Sequence, residues 1–377
     1  MPRKIAFIYP VIDYSGGVER VFAESLKYFS EKGWDTRVFC EEIDPSLEQY
    51  AHRIKRIRSL KWLPVFLNSI RWILCSTLYA LETKKREPVV VITPPTSSLI
   101  ADVITTGSCH FASKIEDLHN RRYRWVLNPV NWLIILSEYI TYNFSSKIIA
   151  VPSTRTGSEI TTLFSKSASK IIVAPLGVDL EIFKPANKTM SRRNRANKDA
   201  PLQLLTVANE LERKGVLLVL DALKSLKSQG LHFHYSIVGR NIKPRHHRYV
   251  TELGLDDCVV FEKPALQNDL NKLYQRHDMF IIPTSYEAFC LVCAEAICAG
   301  LPVISTSVGG IEDYMEDGRT GHFIERNVSS IEMALTCFHR DRQKIHEMRQ
   351  HCAQARSGFI WSKGLRKLEK EIISQNL

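Results

Sequence analysis

Met279-Phe280-Ile281-Ile282-Pro283-Thr284-Ser285-Tyr286-Glu287-Ala288-Phe289-Cys290-Leu291-Val292-Cys293-Ala294-Glu295-Ala296-Ile297-Cys298-Ala299-Gly300-Leu301-Pro302-Val303 reads as strand, loop, helix and the start of a second strand. The first apolar run closes at Pro283, which has no N–H to give to a ladder. A helix-compatible run opens at about Leu291, and Gly300-Leu301-Pro302 ends it as a C-cap glycine followed by proline does. The next apolar run starts at once. Strands buried on both faces read as unbroken hydrophobic runs, so this segment predicts a parallel sheet covered by helices.

The same alternation extends outward in both directions. Apolar runs at Lys4–Val11, Thr36–Cys40, Val89–Thr93, Val103–Thr106, Lys147–Val151 and Lys170–Ala174 are separated by helical spacing such as Val18–Phe29. A polar, basic run at 186–200 interrupts the pattern and reads as a linker. Alternation resumes at Leu202–Ala208, Phe233–Val238, Cys258–Glu262, Met279–Pro283, Pro302–Thr306 and Gly321–Ile324, and Phe359–Ile372 reads as a final helix. With 377 residues there is chain enough for two cores. The expectation is α/β: two Rossmann-like, doubly wound parallel-sheet domains, 1–185 and 201–357, with a ligand cleft between them.

Charged residues make up 24% and hydrophobic residues 45% of the chain, which excludes disordered, collagenous and coiled-coil classes. The nine cysteines lie mostly in apolar runs, which favours a reducing compartment over a disulfide framework. The apolar run Ile5–Pro10 is too short for a signal-peptide core, so the mature chain is expected to begin near Met1. The net charge is +11. Residues 51–86 hold nine basic residues against one acid, Glu82, around the apolar and aromatic stretch Trp62–Leu81. Arg71 and Pro64 interrupt that stretch, so it reads as an interfacial segment that meets anionic lipid and not as a membrane span. A second stretch, Arg121–Leu136, is read mainly as an ordinary core helix.

Three loops carry candidate chemistry. Gly16-Gly17 follows the first strand and opens a helix, where backbone N–H groups can meet an anion; the three-glycine dinucleotide fingerprint is missing. Arg213-Lys214 stand at the start of a helix, where cations are disfavoured unless an anion compensates them. Glu287 and Glu295, if joined by continuous helix, stand about 12 Å apart. That exceeds the spacing of a glycosidase pair, so gripping the hydroxyls of two sugars is the better use of them. Cys290-x-x-Cys293 lacks a second Cys/His pair, so no metal site is read there.

The order of Gly16-Gly17-Val18-Glu19, Leu176-Gly177-Val178-Asp179 with Phe183, Lys214-Gly215 and Glu287-x7-Glu295 before Gly300-Leu301-Pro302-Val303 resembles the retaining group 1 nucleotide-sugar glycosyltransferases, which have the GT-B fold. The resemblance runs from Lys4 to about Ile324 and is most specific in the second half. It implies donor binding by Gly16, Gly17, Asn209, Arg213, Lys214, Glu295 and the N–H groups of Phe289, Cys290 and Leu291. Glu287 would hold donor-sugar hydroxyls, Glu295 the ribose, and Lys214 the departing diphosphate. Gly107-Ser108-Cys109-His110 resembles the segment with the active-site histidine of lipopolysaccharide-core glucosyltransferases, which makes His110 catalytic together with Glu287 and Lys214; His119 is a weaker second choice. The final segment, 358–377, would return to the N-terminal domain.

Two departures stand out. Ala208-Asn209 replaces the usual Gly-Arg, which leaves Arg213 to substitute, and Ala288 replaces a glycine beside the donor sugar. The function implied is metal-independent, cofactor-free hexose transfer from a UDP- or GDP-sugar to a lipid-linked or lipopolysaccharide-type acceptor. It would take place on the cytoplasmic side, with the protein bound peripherally to the inner face of the membrane. The alternatives are a GT-B epimerase or a membrane-associated scaffold without activity. Nucleic acid is not expected as a partner, since no recognition motif accompanies the basic residues.

Overall fold

The unbroken apolar runs become strands of two parallel sheets, with those at Ile171–Val173, Val259–Glu262 and Gly321–Ile324 on the sheet edges. The structure is a computed structural model that describes residues 3–60, 62–119, 123–186, 200–264 and 267–377, without the side chains of His119 and Arg124. Almost all of the expected linker 186–200 therefore lies outside the described residues, as do Lys61, Arg121 and Arg122 of the two basic stretches. The chain divides into unit 1, Met1–Leu176 with Trp361–Leu377, and unit 2, Gly177–Ile360. The boundary falls at Leu176/Gly177, earlier than the expected Pro185, because Val178 N donates to Phe359 O and Lys184 N to Asn271 Oδ1 within unit 2.

Unit 1 runs β1 (Lys4–Ile8), β2 (Val11–Ile12), α1 (Gly17–Glu31), β3 (Asp35–Cys40), β4 (Glu42–Ile43), β5 (Arg53–Arg56), α2 (Val65–Arg86), β6 (Val90–Thr93), β7 (Val103–Thr105), α3 (His110–His119), α4 (Pro129–Ile140), β8 (Ile148–Val151), α5 (Thr154–Leu163) and β9 (Ile171–Val173). Its seven-stranded sheet has the order β5-β3-β1-β6-β7-β8-β9, parallel throughout. Unit 2 runs β10 (Leu202–Val207), α6 (Val216–Ser228), β11 (Phe233–Val238), α7 (Pro244–Glu252), β12 (Val259–Glu262), α8 (Gln267–Arg276), β13 (Met279–Ile282), α9 (Leu291–Cys298), β14 (Val303–Thr306), α10 (Ile311–Tyr314), β15 (Gly321–Ile324), α11 (Val328–Arg340) and α12 (Arg342–Ala355). Its parallel sheet has the order β12-β11-β10-β13-β14-β15.

The last helix, α13 (Trp361–Ser374), belongs to unit 1. Its Trp361, Leu365, Leu368 and Ile372 join Phe7, Phe22, Leu26 and Phe29 in one core. Glu369 accepts from Tyr28 Oη at 2.8 Å and from Trp34 Nε1 at 3.0 Å.

The basic aromatic segment has two faces. Arg53–Arg56 forms the edge strand β5, where charged side chains discourage pairing with another chain. In α2, Trp72, Ile73 and Ala80 pack with Phe39, Val89 and Val91, while Val65, Leu74 and Leu78 are exposed, as is Trp62 just before the helix. Part of this segment is thus core and part is surface. Among the described residues no helix is long and apolar enough to cross a membrane.

The second stretch corrects its reading as a core helix. In α4 the buried side chains are Ser137 and Glu138, whereas Trp132, Leu136 and Tyr139 are about half exposed and Leu127, just before the helix, is 86% exposed. The helix turns its polar residues inward because they have partners there. Ser137 Oγ donates to Pro95 O, and Glu138 accepts from two backbone N–H groups of α3. α4 packs beside α2.

Candidate active site

In unit 2 the chain passes from β10 to β11 on one side and later to β13 on the other, so strand order reverses between β10 and β13. Open α/β sheets receive ligands beyond the carboxyl ends of the strands at such a point. The loop after β10 carries Arg213 and Lys214; the loop after β13 carries Glu287. Gly215 locks the two together: it has φ 77°, and a Cβ there would lie 2.2 Å from Pro283 O. Arg326 ties the same loops from below, donating to Pro283 O and to Glu212 O at 3.1 Å each.

Three of the expected site residues meet here. Lys214 Nζ pairs with Glu287 Oε1, which also accepts from Thr284 Oγ1 at 2.9 Å. Arg213 Nη1 lies 3.3 Å from the same oxygen and donates to Tyr286 O, while its Nε and Nη2 hold Glu210 at 3.1 Å. The Lys214 and Glu287 side chains are only 13% and 9% exposed. The anion that the two cations require is, in this structure, Glu287. Burial alone would raise the Glu287 pKa, but Lys214 and then Arg213 outweigh it and hold the carboxyl below its ordinary range. Burial would likewise lower Lys214, and Glu287 more than reverses that. The depressed carboxyl stabilises the fold above the ordinary Glu value of about 4.3 and loses that contribution as pH falls further; the raised ammonium stabilises it below about 10.4 and loses it above.

Helix α9 begins at Leu291 with Cys290 as its N-cap, at φ 65°, and no side chain caps it. Its first N–H groups have no carbonyl four residues earlier within the helix. Tyr314 Oη donates to Phe289 O and Cys290 O at 2.9 Å, fixing that turn. Glu295 is buried and accepts from Tyr274 Oη at 3.2 Å. Because helix starts only at Leu291, the rise from there to Glu295 is about 6 Å and not 12, so distance is no argument against a carboxylate pair. The commitment of Glu287 to cations and of Glu295 to Tyr274 is the better one. Asn209 Oδ1 accepts from Arg240 N at 3.0 Å, joining the loops after β10 and β11.

Sequence reasoning passed over Tyr274, Tyr314, Arg326 and the pair Gly309-Gly310. At Gly309, φ is 57° and an added Cβ would lie 1.6 Å from Glu287 O; at Gly310 it would lie 2.7 Å from Phe289 Cα. A glycine pair between a strand and a helix was the signal that picked out Gly16-Gly17, and it could have found these two as well.

In unit 1, strand order reverses between β1 and β6. Gly16 is the N-cap of α1, and Gly107 sits where a Cβ would be 2.6 Å from Val18 Cγ2, so the glycine loop and the loop before His110 meet at one end of the sheet. His110 opens α3; its Nε2 is 3.1 Å from Asn131 Oδ1. Burial, with Lys114, lowers its pKa.

The family description "Glycosyltransferase Family 4" matches residues 15–182, and "Glycosyl transferases group 1" matches residues 187–356. A D-inositol 3-phosphate glycosyltransferase of Paenarthrobacter aurescens is 27% identical over 213 residues, 54% of this chain and 52% of that one. The chain spans about half the length of the curated relatives it matches. Among solved structures, WaaG, a glycosyltransferase involved in lipopolysaccharide biosynthesis, superposes with TM-score 0.77 at 19% identity, over 96% of this chain and 98% of that one. Anabaena HepE in complex with UDP-glucose gives 0.72 at 15% identity, over 98% and 99%. With one family match on the loops of unit 1 and the other on the Lys214/Glu287 site of unit 2, the chain belongs to the group 1 glycosyltransferases and has their GT-B fold.

Proposed function

We propose that the protein is a retaining hexosyltransferase that uses a UDP- or GDP-sugar and acts on a lipid-linked or lipopolysaccharide-type glycan at the inner face of the membrane. The observation that carries this reading is the convergence of Arg213, Lys214 and Glu287 at the strand-order reversal of unit 2. Cleaving the anomeric C–O bond builds negative charge on the diphosphate. Lys214, Arg213 and the N-terminus of α9 are preorganised cationic and N–H groups for that charge, so the reading assigns no step to a metal or cofactor. Glu287, relieved of part of its cation pairing by the diphosphate, accepts hydrogen bonds from sugar hydroxyls, and Glu295 from the ribose. Asn209 sits beside the diphosphate, with Arg213 supplying the missing guanidinium. In unit 1, Gly16 and Gly17 let the backbone approach the substrate, while His110 shapes the face of the sugar opposite the leaving group. The UDP-glucose complex of the Anabaena neighbour supports the donor class, and the lipopolysaccharide role of WaaG supports the acceptor class.

The decisive experiment incubates the full chain with a panel of UDP- and GDP-hexoses plus membrane extract and measures nucleoside diphosphate release. Release with one donor, dependent on the extract and with the anomeric configuration retained in the product, is expected. Absence of turnover with every donor would sink the reading.

The membrane part rests on the exposed apolar residues of α2 and α4 beside the basic residues 53–58. At about 1 kcal/mol per basic residue near an anionic surface, neutralising Arg53, Lys55, Arg56 and Arg58 together should weaken vesicle binding by roughly two to three orders of magnitude. The triple change Leu78→Ser, Trp132→Ser, Leu136→Ser should abolish co-flotation with phosphatidylglycerol liposomes. Unchanged flotation of both variants would remove the membrane claim and leave the transferase reading standing.

A further inference from the structure

Helix α4 places Asn131 and Glu138 seven residues apart, on one face and two turns from each other, and both act on the start of α3. Glu138 Oε1 accepts from His110 N at 2.7 Å and its Oε2 from Phe111 N at 2.9 Å, so one buried carboxyl caps the helix that His110 opens. Burial pushes that carboxyl up to about 7, the two N–H bonds opposing the rise. Asn131 acts on the ring itself. Its Nδ2 donates to Trp125 O at 2.8 Å. A carbonyl can only accept, so the amide cannot be flipped without losing that bond, and Oδ1 must be the atom facing His110 Nε2 at 3.1 Å. Oδ1 accepts and never donates. Nε2 therefore carries the hydrogen, and in the neutral ring Nδ1 carries the lone pair.

We infer that Asn131 and Glu138 are positioning residues that hold His110 as its Nε2–H tautomer, so that Nδ1 is a hydrogen-bond acceptor directed to substrate hydroxyls. Glu138 sets where the residue begins its helix; Asn131 sets which nitrogen is protonated. The neutral ring agrees with the lowered pKa of His110. The charged side chains acting on the ring are Lys114 and Asp117 of α3, which pair with each other at 2.8 Å and so largely cancel; from α4, Glu138, whose carboxyl burial pushes up to about 7, faces the His110 backbone N–H. The inference rests on the proposed role of His110 in transfer, and the test separates the two.

Long-range proton–nitrogen NMR on histidine-labelled protein reads the tautomer directly, with the His110 signal assigned by its loss in His110→Gln. An unprotonated Nδ1 is expected, and a protonated Nδ1 in the wild type would overturn the inference whatever His110 does in catalysis. For turnover, Asn131→Ala should lower kcat about 10- to 100-fold, with donor KM changed less than about 3-fold. Asn131→Asp keeps an acceptor on Nε2, gives up the bond to Trp125 O, and adds a negative charge that favours imidazolium. Its acidic limb in the pH profile of kcat should therefore move up by about one unit, with turnover recovering toward wild type above it. Both variants falling equally with no movement of the limb would reduce Asn131 to a structural residue. Full transfer by His110→Gln, with the tautomer confirmed, would instead overturn the role assigned to His110.

Discussion

Replacing Glu287 by alanine is expected to lower nucleoside diphosphate release by on the order of 10²- to 10³-fold and to destabilise unit 2 by about 3 to 5 kcal/mol, the usual result of stranding a buried charge. Lys214 is the charge left behind; at 13% exposure, water can repair little of the loss. In a domain of this size that corresponds to roughly 6 to 20 °C in Tm. The two losses separate in the double variant. Lys214→Met on the Glu287→Ala background removes the stranded ammonium, so it should regain much of the stability while remaining inactive. A Glu287→Ala protein with wild-type turnover would remove Glu287 from the site. One that unfolds no earlier than wild type would show that the pair contributes little to stability.

The second large effect is expected at a residue with no side chain of its own, packed against the backbone of Glu287. Gly309→Ala puts a methyl group on a left-handed residue, with φ 57°, whose Cβ would fall 1.6 Å from the carbonyl oxygen of Glu287. Backbone cannot swing aside as the end of a side chain can, so the loop carrying Glu287 must shift. Overpacking and conformational strain together should cost about 2 to 4 kcal/mol. A displacement of about 1 Å at a positioned group is enough for a roughly 100-fold loss of turnover. Gly318 supplies the control: it has φ 71°, but nothing lies within 4 Å of its would-be Cβ. Gly318→Ala should therefore lose only the strain of the left-handed conformation, about 1 to 2 kcal/mol, and keep its transfer rate. Thermal melts and diphosphate release on the two variants make the comparison. Equal behaviour of the two would mean that the loop after β14 does not brace Glu287.

How much of this was written in the sequence depends on what kind of neighbour each residue has. Phe233–Val238 and Gly321–Ile324 were bounded to the residue, and α9 was expected from Leu291. Buried parallel strands and glycine–proline stops leave marks that need no knowledge of what packs against them. The Lys214–Glu287 pair was half legible: two cations at a helix start demand an anion, but the pattern does not say that the anion comes from a loop seventy-three residues further on. The roles of Tyr274 and Tyr314 were illegible, because a tyrosine whose hydroxyl braces a loop or a carboxylate looks like any core aromatic. α4 was misread for a physical reason. Hydropathy counts apolar residues but cannot tell which face is buried, and here Ser137 and Glu138 are buried while Trp132 and Leu136 stay half exposed.

The split composition of unit 1 sets the order in which the protein can be finished. Its core includes Trp361, Leu365, Leu368 and Ile372, which a ribosome reaches only after making all of unit 2. At roughly 5 to 20 residues per second, making Gly177–Ile360 takes on the order of 10 to 40 s, during which the first unit waits with the surface around Phe22, Leu26 and Trp34 uncovered. Unit 1, the earlier half in the message, thus cannot be completed until the later half has been made. Until α13 arrives, that waiting surface is the part of the nascent chain most in need of a chaperone.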